Sequence, residues 1–461
     1  MFDAGRDQDT ICALSTAAGN GGISVIRVSG GRSAEIARKI CPFLPEQLKS
    51  HTVHFGTLVE GGSREPVDEV LVAYFEDGRS YTGEETLEIS CHGSPAIAQT
   101  VLDELVKAGC RIAERGGFTF RAFMSGRIDL VQAEAVLSLV ESQSKPAVRM
   151  ALRQLKGQLS EKFEAIESNL VWLLARLEVS LDFSTEDIDV APKDELLEKI
   201  DRVLRDSDQL LKTYNQGRIL KEGLFVTLAG RPNVGKSSLL NAIMREDRAI
   251  VTDIAGTTRD VVEGKIRIDG MPVTLVDTAG LRETQDPIEK IGVEKTRKAL
   301  GQGDVVLFVL DSSAGLTSED EALLETLPKE NLFFVFNKVD LISSDARPRL
   351  YSVAKSFGSP AIFVSSKSGE GLAELEKALA NVIRETLVED SDVVIQARHY
   401  QLLEKMRQRV EKARVLVVEG ASEEFTALEL RVALQLAHEV LGTEVDERVL
   451  DKIFGDFCIG K

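Results

Sequence analysis

Residues 225–237 read FVTLAGRPNVGKS, a short apolar run followed by a glycine-containing stretch that ends in Lys236 and Ser237. The run predicts a buried strand, and the residues from Ser238 to Met244 predict a helix. A strand, a GxxxxGKS loop and a helix in this order are typical of a phosphate-binding loop. The glycines let backbone N–H groups face the phosphates, the lysine reaches the outer phosphates, and the serine hydroxyl can bind Mg2+. This stretch therefore predicts a P-loop domain built on a doubly wound parallel sheet.

Further motifs follow at the ends of predicted strands. In VTLVDTAG, the apolar run VTLV is followed by the motif DTAG. The carboxylate of Asp277 can hold the metal through water, and the N–H of Gly280 can reach the terminal phosphate. The run Leu332–Phe336 leads into NKVD, and Ala361–Val364 leads into SSK, which would support the base from its other side. The carboxylate of Asp340 can accept from the two N–H groups on one edge of guanine. The nucleotide predicted is therefore GTP and not ATP.

The segment TDIAGTTRD, residues 252–260, lies between the first two motifs. Its polar composition is typical of a loop that orders around a bound nucleotide, with the Thr258 hydroxyl on Mg2+ beside the γ-phosphate. Ser237 and Thr258 are the predicted Mg2+ ligands. The predicted GTP-binding residues are Asn233, Val234, Gly235, Lys236, Ser237, Ser238, Thr252, Asp253, Ile254, Ala255, Gly256, Thr257, Thr258, Asp277, Thr278, Ala279, Gly280, Asn337, Lys338, Val339, Asp340, Ser365, Ser366 and Lys367.

The chain has 461 residues and a formal net charge of −18. That length predicts about two or three domains, since large chains split into separate cores. The negative charge disfavours a broad nucleic-acid groove, so a nucleic-acid partner would need a local basic patch or a helper protein. The amino terminus lacks a secretory pattern, and no apolar run is long enough to span a bilayer. We therefore expect a cytoplasmic protein with no membrane partner.

The cysteines and histidines are not arranged as metal ligands. Five cysteines are scattered without a CxxC pair, which argues against a disulfide framework and a zinc ribbon. We expect four of them to be small packing residues: Cys12, Cys41, Cys91 and Cys110. His92 follows a predicted strand, but it has no paired ligand spacing and is predicted to be a plain loop histidine.

Segments of different character alternate along the chain. The amino-terminal region mixes short strands with helical stretches at Ser33–Ile40 and Pro95–Ala108. Large apolar residues, mostly leucines, then recur at three- and four-residue steps from Leu152 to Leu181, which predicts one long amphipathic helix in a bundle core. The predicted fold is multidomain, α/β plus all-α. Its predicted parts are an α/β domain at 1–125, a discontinuous helical bundle domain at 126–222 and 384–461, and an inserted P-loop G domain at 223–383.

The motifs GRPNVGKSS, TDIAGTTRD, DTAGLRE, NKVD and SSK together resemble the GTPases related to Era. The stretches GGISVIRVSG, SYTGEETLEISCHG and FTFRAFMSGRIDLVQAEAV, with the terminal CIGK at 458–461, narrow the resemblance. Over essentially its full length the chain resembles the MnmE (TrmE) family of tRNA modification GTPases, within the TrmE-Era-like superfamily. This resemblance implies an amino-terminal folate-binding and dimerisation domain, a split helical domain and an inserted G domain.

The resemblance also implies an activity and partners. Members of the family are potassium-dependent GTPases that work with MnmG, a partner protein that carries FAD. Together they install an aminomethyl or carboxymethylaminomethyl group on carbon 5 of the wobble uridine of certain tRNAs. The one-carbon unit comes from 5-formyltetrahydrofolate or 5,10-methylenetetrahydrofolate. The implied assemblies are a homodimer and a heterotetramer with MnmG.

The hydrolytic step needs a group that the motifs alone do not supply. Leu281 follows the DTAG glycine, where Ras-like proteins carry a water-orienting glutamine nearby. By resemblance, Glu289 in IEKIG orients the attacking water, and the alternative is one more solvated helix acid. Arg259 and Arg282 are alternative arginine fingers. The residues that the resemblance assigns to K+ are Asn233, Thr252, Ile254 and Thr257.

The resemblance places the folate on Arg27, Glu88, Arg127 and Lys461. Arg27 and Lys461 can pair with anionic groups of the cofactor, and Glu88 can accept from the pterin N–H edge. Arg127 replaces a lysine seen in some relatives, which keeps the charge but changes the geometry. Cys458 is predicted to be catalytic or to handle substrate, with a mobile tail residue as the alternative.

Two other functions remain open from the sequence. One is an Era-type ribosome-assembly GTPase, which would need a basic RNA-reading domain that the chain does not offer. The other is a folate-dependent aminomethyltransferase in which the G domain only regulates an amino-terminal enzyme.

Overall fold

The computed structural model describes residues 9–182, 192–245, 262–277, 303–386, 394 and 396–461. The chain divides into two compact units. Unit 1 comprises residues 1–141, 151–209 and 398–461, and unit 2 comprises residues 142–150 and 210–397.

The sheet of unit 1 has six strands in the order β3-β4-β5-β2-β1-β6. The pairs from β3 to β1 are antiparallel, and β6 joins β1 in parallel. The strands are β1 (Ile11–Leu14), β2 (Ile23–Ser29), β3 (Thr52–Val59), β4 (Pro66–Phe75), β5 (Thr86–His92) and β6 (Arg111–Ile112).

Helices α1 (Ser33–Ile40) and α2 (Pro95–Ala108) pack on this sheet and have the predicted bounds. Strand β3 was not predicted, because the apolar side chains of its first half point away from the core, although Leu58 and Val59 at its end are buried. Val53 and Phe55 are exposed, while the inward position holds Gly56, where a Cβ would lie 2.3 Å from the Phe43 ring.

The rest of unit 1 is largely helical, and some of its helices continue into unit 2. The helices that follow β6 in the sequence are α3 (Gly117–Met124), α4 (Leu130–Glu141), α5 (Lys145–Leu155), α6 (Gln158–Asp182) and α7 (Lys193–Glu222). The carboxyl-terminal helices are α12 (Ala397–Glu419), α13 (Glu423–Leu441) and α14 (Glu447–Gly455).

The prediction of one long helix from Leu152 to Leu181 is wrong. The chain breaks between α5 and α6 at Gly157, whose φ of +88° lies in the left-handed region that glycine adopts at little cost. Leu152 is 40% exposed and does not belong to the stripe that packs in the core. Periodicity alone could not detect the break, because the leucine spacing continues across it.

A buried ion cluster joins the two halves of the helical region. Glu134 on α4 accepts from Arg398 Nε at 3.0 Å and lies 2.5 Å from His399 Nε2, both on α12. Burial acts to raise the pKa of Glu134, but the charges and hydrogen bonds of His399 and Arg398 outweigh it and lower that pKa to about 2. A buried carboxylate paired in this way ties together segments that are distant in sequence.

Unit 2 contains the predicted doubly wound sheet, in the order β12-β11-β10-β7-β9-β8. Neighbouring strands from β12 to β9 are parallel, and β8 is antiparallel to β9. The strands are β7 (Leu224–Ala229), β8 (Val262–Ile268), β9 (Met271–Asp277), β10 (Val305–Asp311), β11 (Leu332–Asn337) and β12 (Ala361–Phe363).

Four described helices accompany this sheet: α8 (Lys236–Arg245), α9 (Ser318–Leu324), α10 (Arg347–Ser356) and α11 (Leu372–Thr386). Helices α8 and α11 contribute to one apolar cluster, and α9 and α10 contribute to another. The parallel strands therefore lie between two apolar layers, and their carboxyl ends carry the motifs at one edge of the sheet.

Candidate functional site

The P-loop follows β7 and leads into α8. Gly230 has a φ of +146°, and a Cβ there would lie 2.3 Å from the Val309 carbonyl oxygen. Gly235 has a φ of +98°, and its Cβ would lie 2.4 Å from Asn337 Nδ2. No larger residue fits at either position without moving a neighbouring strand end or its side chain. The loop can hold its backbone amides around an anion because of these two glycines.

The side chain of Lys236 is buried against the P-loop. Its Nζ donates to the carbonyl oxygens of Gly230 at 2.6 Å and Arg231 at 2.9 Å. Burial lowers the pKa of Lys236, and the charge of Asp277 partly offsets that effect. An ammonium group in this position can exchange the two carbonyl oxygens for phosphate oxygens, which form stronger charge-assisted hydrogen bonds.

Ser237 and Asp277 meet at the start of α8. The Ser237 Oγ donates to Asp277 Oδ2 at 2.7 Å, and Asp277 ends β9 with 3% of its surface exposed. A hydroxyl and a carboxylate are oxygen donors of the kind that Mg2+ prefers. These two side chains therefore fit the predicted metal, although the Thr258 ligand lies outside the described residues.

Asn337 connects the NKVD motif to the two loops beside it. Its Nδ2 donates to the Val234 carbonyl oxygen at 3.0 Å. Its Oδ1 accepts from Lys338 N at 2.8 Å and from Ser366 Oγ at 2.9 Å. Asn337 is buried, so its contacts hold the P-loop and the SSK loop in place.

Lys338 performs a similar bracing role from the surface. Its Nζ donates to the Asn233 carbonyl oxygen at 2.9 Å and pairs with Asp311 Oδ2 at 2.7 Å. Asp311 ends β10, and burial acts to raise its pKa, but the Lys338 and Ser313 contacts lower it overall. The hydrogen bond from Lys338 thus stabilises the loop backbone at Asn233, which has a φ of +67°.

Asp340 lies on the exposed side of this junction. Its Oδ1 accepts from Ser365 Oγ at 2.6 Å, and Val339 N donates to the Val364 carbonyl oxygen at 3.2 Å. Among the described residues, Asp340 Oδ2 has no hydrogen-bond partner. An exposed carboxylate held on one oxygen retains capacity to accept from a base N–H edge.

The structure thus brings together the predicted residues of the P-loop, Asp277, NKVD and SSK. The remaining predicted residues lie outside the described part of the chain. They are Thr252, Asp253, Ile254, Ala255, Gly256, Thr257, Thr258, Thr278, Ala279, Gly280 and Glu289, together with the alternative fingers Arg259 and Arg282.

A second group of predicted residues lies on the sheet of unit 1. Arg27 on β2 is paired in register with Glu88 on β5, and its Nη2 lies 2.8 Å from Glu88 Oε1. The Arg27 guanidinium carbon lies 5.5 Å from the Phe118 ring centroid and 5.8 Å from that of Tyr81. Stacking on two rings orients the guanidinium, as cation–π contacts do.

The end of the chain docks beside these residues. Phe118 N donates to the Lys461 carbonyl oxygen at 3.1 Å, and Ser15 Oγ donates to the Gly460 carbonyl oxygen at 3.1 Å. Lys461 is thereby placed next to the residue that stacks on Arg27. Arg127 is exposed and donates to the Gly78 carbonyl oxygen at 3.4 Å.

Cys458 in this tail is exposed, whereas the four other cysteines are buried. The prediction that those four are packing residues is confirmed. Burial raises the pKa of Cys41 to about 12, which makes that thiol unreactive. Cys458 is thus the accessible thiol of the chain.

Two family models and a named relative match this chain. The family model described as MnmE helical domain matches residues 130–458, and the one described as GTP-binding protein TrmE N-terminus matches residues 10–127. The tRNA modification GTPase MnmE of Bdellovibrio bacteriovorus is 45% identical, over 100% of this chain and 99% of the relative. The chain belongs to the MnmE family. It is a GTPase with an amino-terminal TrmE domain, a helical domain and a G domain.

A second relative and a solved structure are also similar to parts or all of this chain. The tRNA modification GTPase MnmE of Carboxydothermus hydrogenoformans is 41% identical over 98% of this chain and 100% of the relative. A crystal structure of an Aquifex aeolicus Era variant bound to GDP and AlF4− is 27% identical, covers 40% of this chain and 66% of that chain, and has a TM-score of 0.30.

The described part of this MnmE family member lacks two features. None of its described helices combines the length and the apolar character that crossing a bilayer requires. Across the described ranges, no group of three or more His, Cys, Asp or Glu side chains could hold a metal ion. His92, predicted as a loop residue, is the last residue of β5, and its Nδ1 lies 2.7 Å from Asp68 Oδ1.

Sequence reasoning missed several residues that shape these sites in the MnmE family member. Asp311 follows the apolar run VVLFVL, so the strand-end rule that found Asp277 could have found it as well. Arg231 donates from Nε to Asp320 Oδ1 at 2.8 Å, and no local pattern marks that pair. Tyr81 and Phe118 also carry no local signal, because only the folded sheet brings them to Arg27.

Proposed function

We propose that this MnmE family member is a potassium-dependent GTPase that acts with an FAD-containing MnmG partner on tRNA. The proposed product carries an aminomethyl or carboxymethylaminomethyl group on carbon 5 of the wobble uridine. The names of the relatives, which are tRNA modification GTPases, support the choice of tRNA. The observation that carries the proposal is the junction at Asn337, where the P-loop and the base-facing loops are hydrogen-bonded together.

The GTP-binding roles follow from this junction. In the proposal, Lys236 contacts the outer phosphates, and Ser237 and Asp277 hold Mg2+, with Thr258 completing the metal site. Asp340 accepts from the guanine N–H edge while Ser365 holds its other oxygen. This division suits a site in which positioning and electrostatic stabilisation do most of the catalytic work.

Potassium is proposed to bind at Asn233 together with Thr252, Ile254 and Thr257. Asn233 is exposed at the top of the P-loop, and Lys338 holds its carbonyl group from the other side. A cation there would add positive charge beside the transferring phosphoryl group. Glu289 is proposed to orient the attacking water.

The face at Arg27 and Glu88 fits a tetrahydrofolate. Glu88 uses Oε1 for both donors of Arg27, and among the described residues its Oε2 has no partner. A free carboxylate oxygen suits the donor edge of a pterin, and the exposed Tyr81 ring offers flat apolar contact. Arg127 and Lys461 supply further positive charge. When bound, the folate supplies the one-carbon unit, and Cys458 is the proposed reactive group of the chain.

The sheet of unit 1 also supports a homodimer. Val53 and Phe55 on β3 are 62% and 65% exposed, and Leu71, the register partner of Phe55 on β4, is 47% exposed. A row of exposed apolar side chains on an outer strand is typical of an association surface. A dimer, joined by MnmG into a heterotetramer, is therefore part of the proposal.

The proposed domain limits are those of the sequence: 1–125, 126–222 with 384–461, and 223–383. The buried contact of Glu134 with Arg398 supports joining the two helical segments into one domain.

Reconstitution tests this function. Purified chain, MnmG, tRNA, GTP, K+ and 5,10-methylenetetrahydrofolate are mixed, and the modified nucleoside is measured by mass spectrometry. We expect modification only in the complete mixture. Product formed without MnmG would favour the alternative of a free-standing aminomethyltransferase.

The potassium requirement is tested separately. Replacing K+ by Na+ should slow GTP hydrolysis while GTP binding stays the same, because the cation acts on the transition state. Equal turnover in both salts would remove K+ from the proposal.

A further inference from the structure

A cleft with a volume of about 660 Å3 opens within unit 2, away from the strand ends that carry the nucleotide motifs. One wall is formed by residues 142–149, which lead into α5 and include its first turn. The other is the turn of the β8–β9 hairpin, with Arg267, Asp269 and Gly270. Asp269 and Gly270 have φ values of +49° and +77°, which give the tight turn that a two-residue hairpin loop requires.

The cleft is positively charged. Lys145, Arg149 and Arg267 line it and are exposed, and within the described ranges none of them has an ion-pair or hydrogen-bond partner. Asp269 is the one carboxylate among the lining residues, and its Oδ2 is paired with Arg384 Nη2 at 2.5 Å. The cations are thus left without an internal counter-charge, in a chain whose net charge is −18.

The helix terminus adds to this field. Ser144 caps α5, since its Oγ accepts from Ala147 N at 3.2 Å, and α5 runs for 11 residues. The amino-terminal end of a helix carries partial positive charge. Because Ser142, Ser144 and Lys145 line the cleft, that end adds to the charge of the three side chains.

We propose that this cleft binds the phosphodiester backbone of RNA, and the identity of that RNA as tRNA rests on the proposed function. An acidic chain can hold a polyanion only at a local basic patch, because its other surfaces repel the phosphates. Cations on two separate elements match a series of phosphates along a strand. The volume also exceeds what one phosphate ion fills.

The test compares two triple variants of the full chain. Lys145→Ala/Arg149→Ala/Arg267→Ala removes the cleft cations. Lys329→Ala/Arg349→Ala/Lys355→Ala removes the same charge from exposed positions of unit 2 that do not line the cleft and have no partner in the described structure. GTP hydrolysis without RNA checks that both variants fold, since none of the six residues belongs to the nucleotide site.

Binding of tRNA is measured by fluorescence anisotropy over a salt series. We expect the cleft variant to bind about 10- to 100-fold more weakly at moderate salt, with a salt slope reduced by about 0.7 to 1 for each lost contact. The control variant should match the unaltered chain. Equal loss in the two variants would overturn the cleft as a specific site.

Competitors identify the source of the anion. A single-stranded RNA oligonucleotide should compete, whereas inorganic phosphate and an acidic peptide at equal charge should not. Loss of phosphate or peptide binding in the cleft variant, with tRNA affinity unchanged, would overturn the RNA assignment.

The same preparations separate this inference from the proposed function. If the unaltered chain with MnmG modifies tRNA and the cleft variant does so with unchanged KM for tRNA, the inference fails and the function stands. If the unaltered chain neither binds nor modifies tRNA, both fail.

Discussion

The nucleotide junction of unit 2 and the Arg27 face of unit 1 are assembled in different ways. In the junction, the key residues lie at the carboxyl ends of parallel strands of one sheet or in the loops that follow them, and the loops are hydrogen-bonded to one another through Asn337. On the Arg27 face, the sheet residues are completed by the last residues of the chain, since Ser15 donates to the Gly460 carbonyl oxygen across 445 positions. A site made from local motifs should tolerate distant changes, whereas a site completed by a tail should not.

The largest expected effect is that of Lys236→Ala in the junction. Loss of the buried ammonium removes the charge-assisted contacts to phosphate, so GTP turnover should fall by about 10²- to 10³-fold. Phosphate release under saturating GTP measures this. Lys329→Ala, an exposed lysine of the same unit, is the control and should leave turnover unchanged. Near-normal turnover in Lys236→Ala would show that the P-loop is not the catalytic anion site.

The next effect concerns the base. Asp340→Asn replaces an acceptor oxygen with an amide donor, which matches xanthine better than guanine. GTP affinity should fall about 10- to 100-fold while affinity for xanthosine triphosphate rises. Calorimetry with both nucleotides measures the change, and Asp345→Asn, at an exposed position nearby in sequence, should alter neither affinity. An unchanged preference for GTP would move base recognition to another residue.

A smaller effect is expected from Gly460→Ala in the tail. The added Cβ would lie 2.2 Å from the Leu14 carbonyl oxygen, at a φ of +92°. Such strain costs about 1–3 kcal/mol, so the tail should shift and tetrahydrofolate affinity should fall about tenfold. GTP hydrolysis should stay normal.

Gly455→Ala is the matched control for this change, because a Cβ there has no atom within 4 Å. Equal folate affinity in the two glycine variants would mean that the tail does not complete the face, and the contrast between the two sites would disappear.

The smallest effect is expected from Glu88→Gln. Glutamine keeps an oxygen acceptor for the partly buried Arg27, so the protein should fold normally. Loss of the acceptor charge should weaken tetrahydrofolate binding by roughly 3- to 10-fold. Equilibrium binding measures this affinity, with Glu69→Gln, an exposed residue of β4, as the control. Unchanged binding would place the pterin elsewhere.

The sequence predictions were right for features that depend on local motifs and wrong for some that depend on packing. The P-loop, NKVD and SSK each combine a strand end with a loop, and such local patterns can be recognised in the sequence alone. The break at Gly157 was missed because the leucine spacing persists across it. Strand β3 was missed because Val53 and Phe55 lie on its solvent-facing side, where polar residues are usual.

The sequence by itself determined that the chain carries a P-loop GTPase domain and that it belongs with the MnmE family, because phosphate and guanine recognition need particular residues at short, constant spacing. Only the tertiary structure decided that Phe118 and Tyr81 flank Arg27, that the tail reaches Ser15, and that Arg267 joins Lys145 and Arg149 in one cleft. Those juxtapositions depend on long-range packing, which leaves no periodic or motif-like trace in the order of the residues.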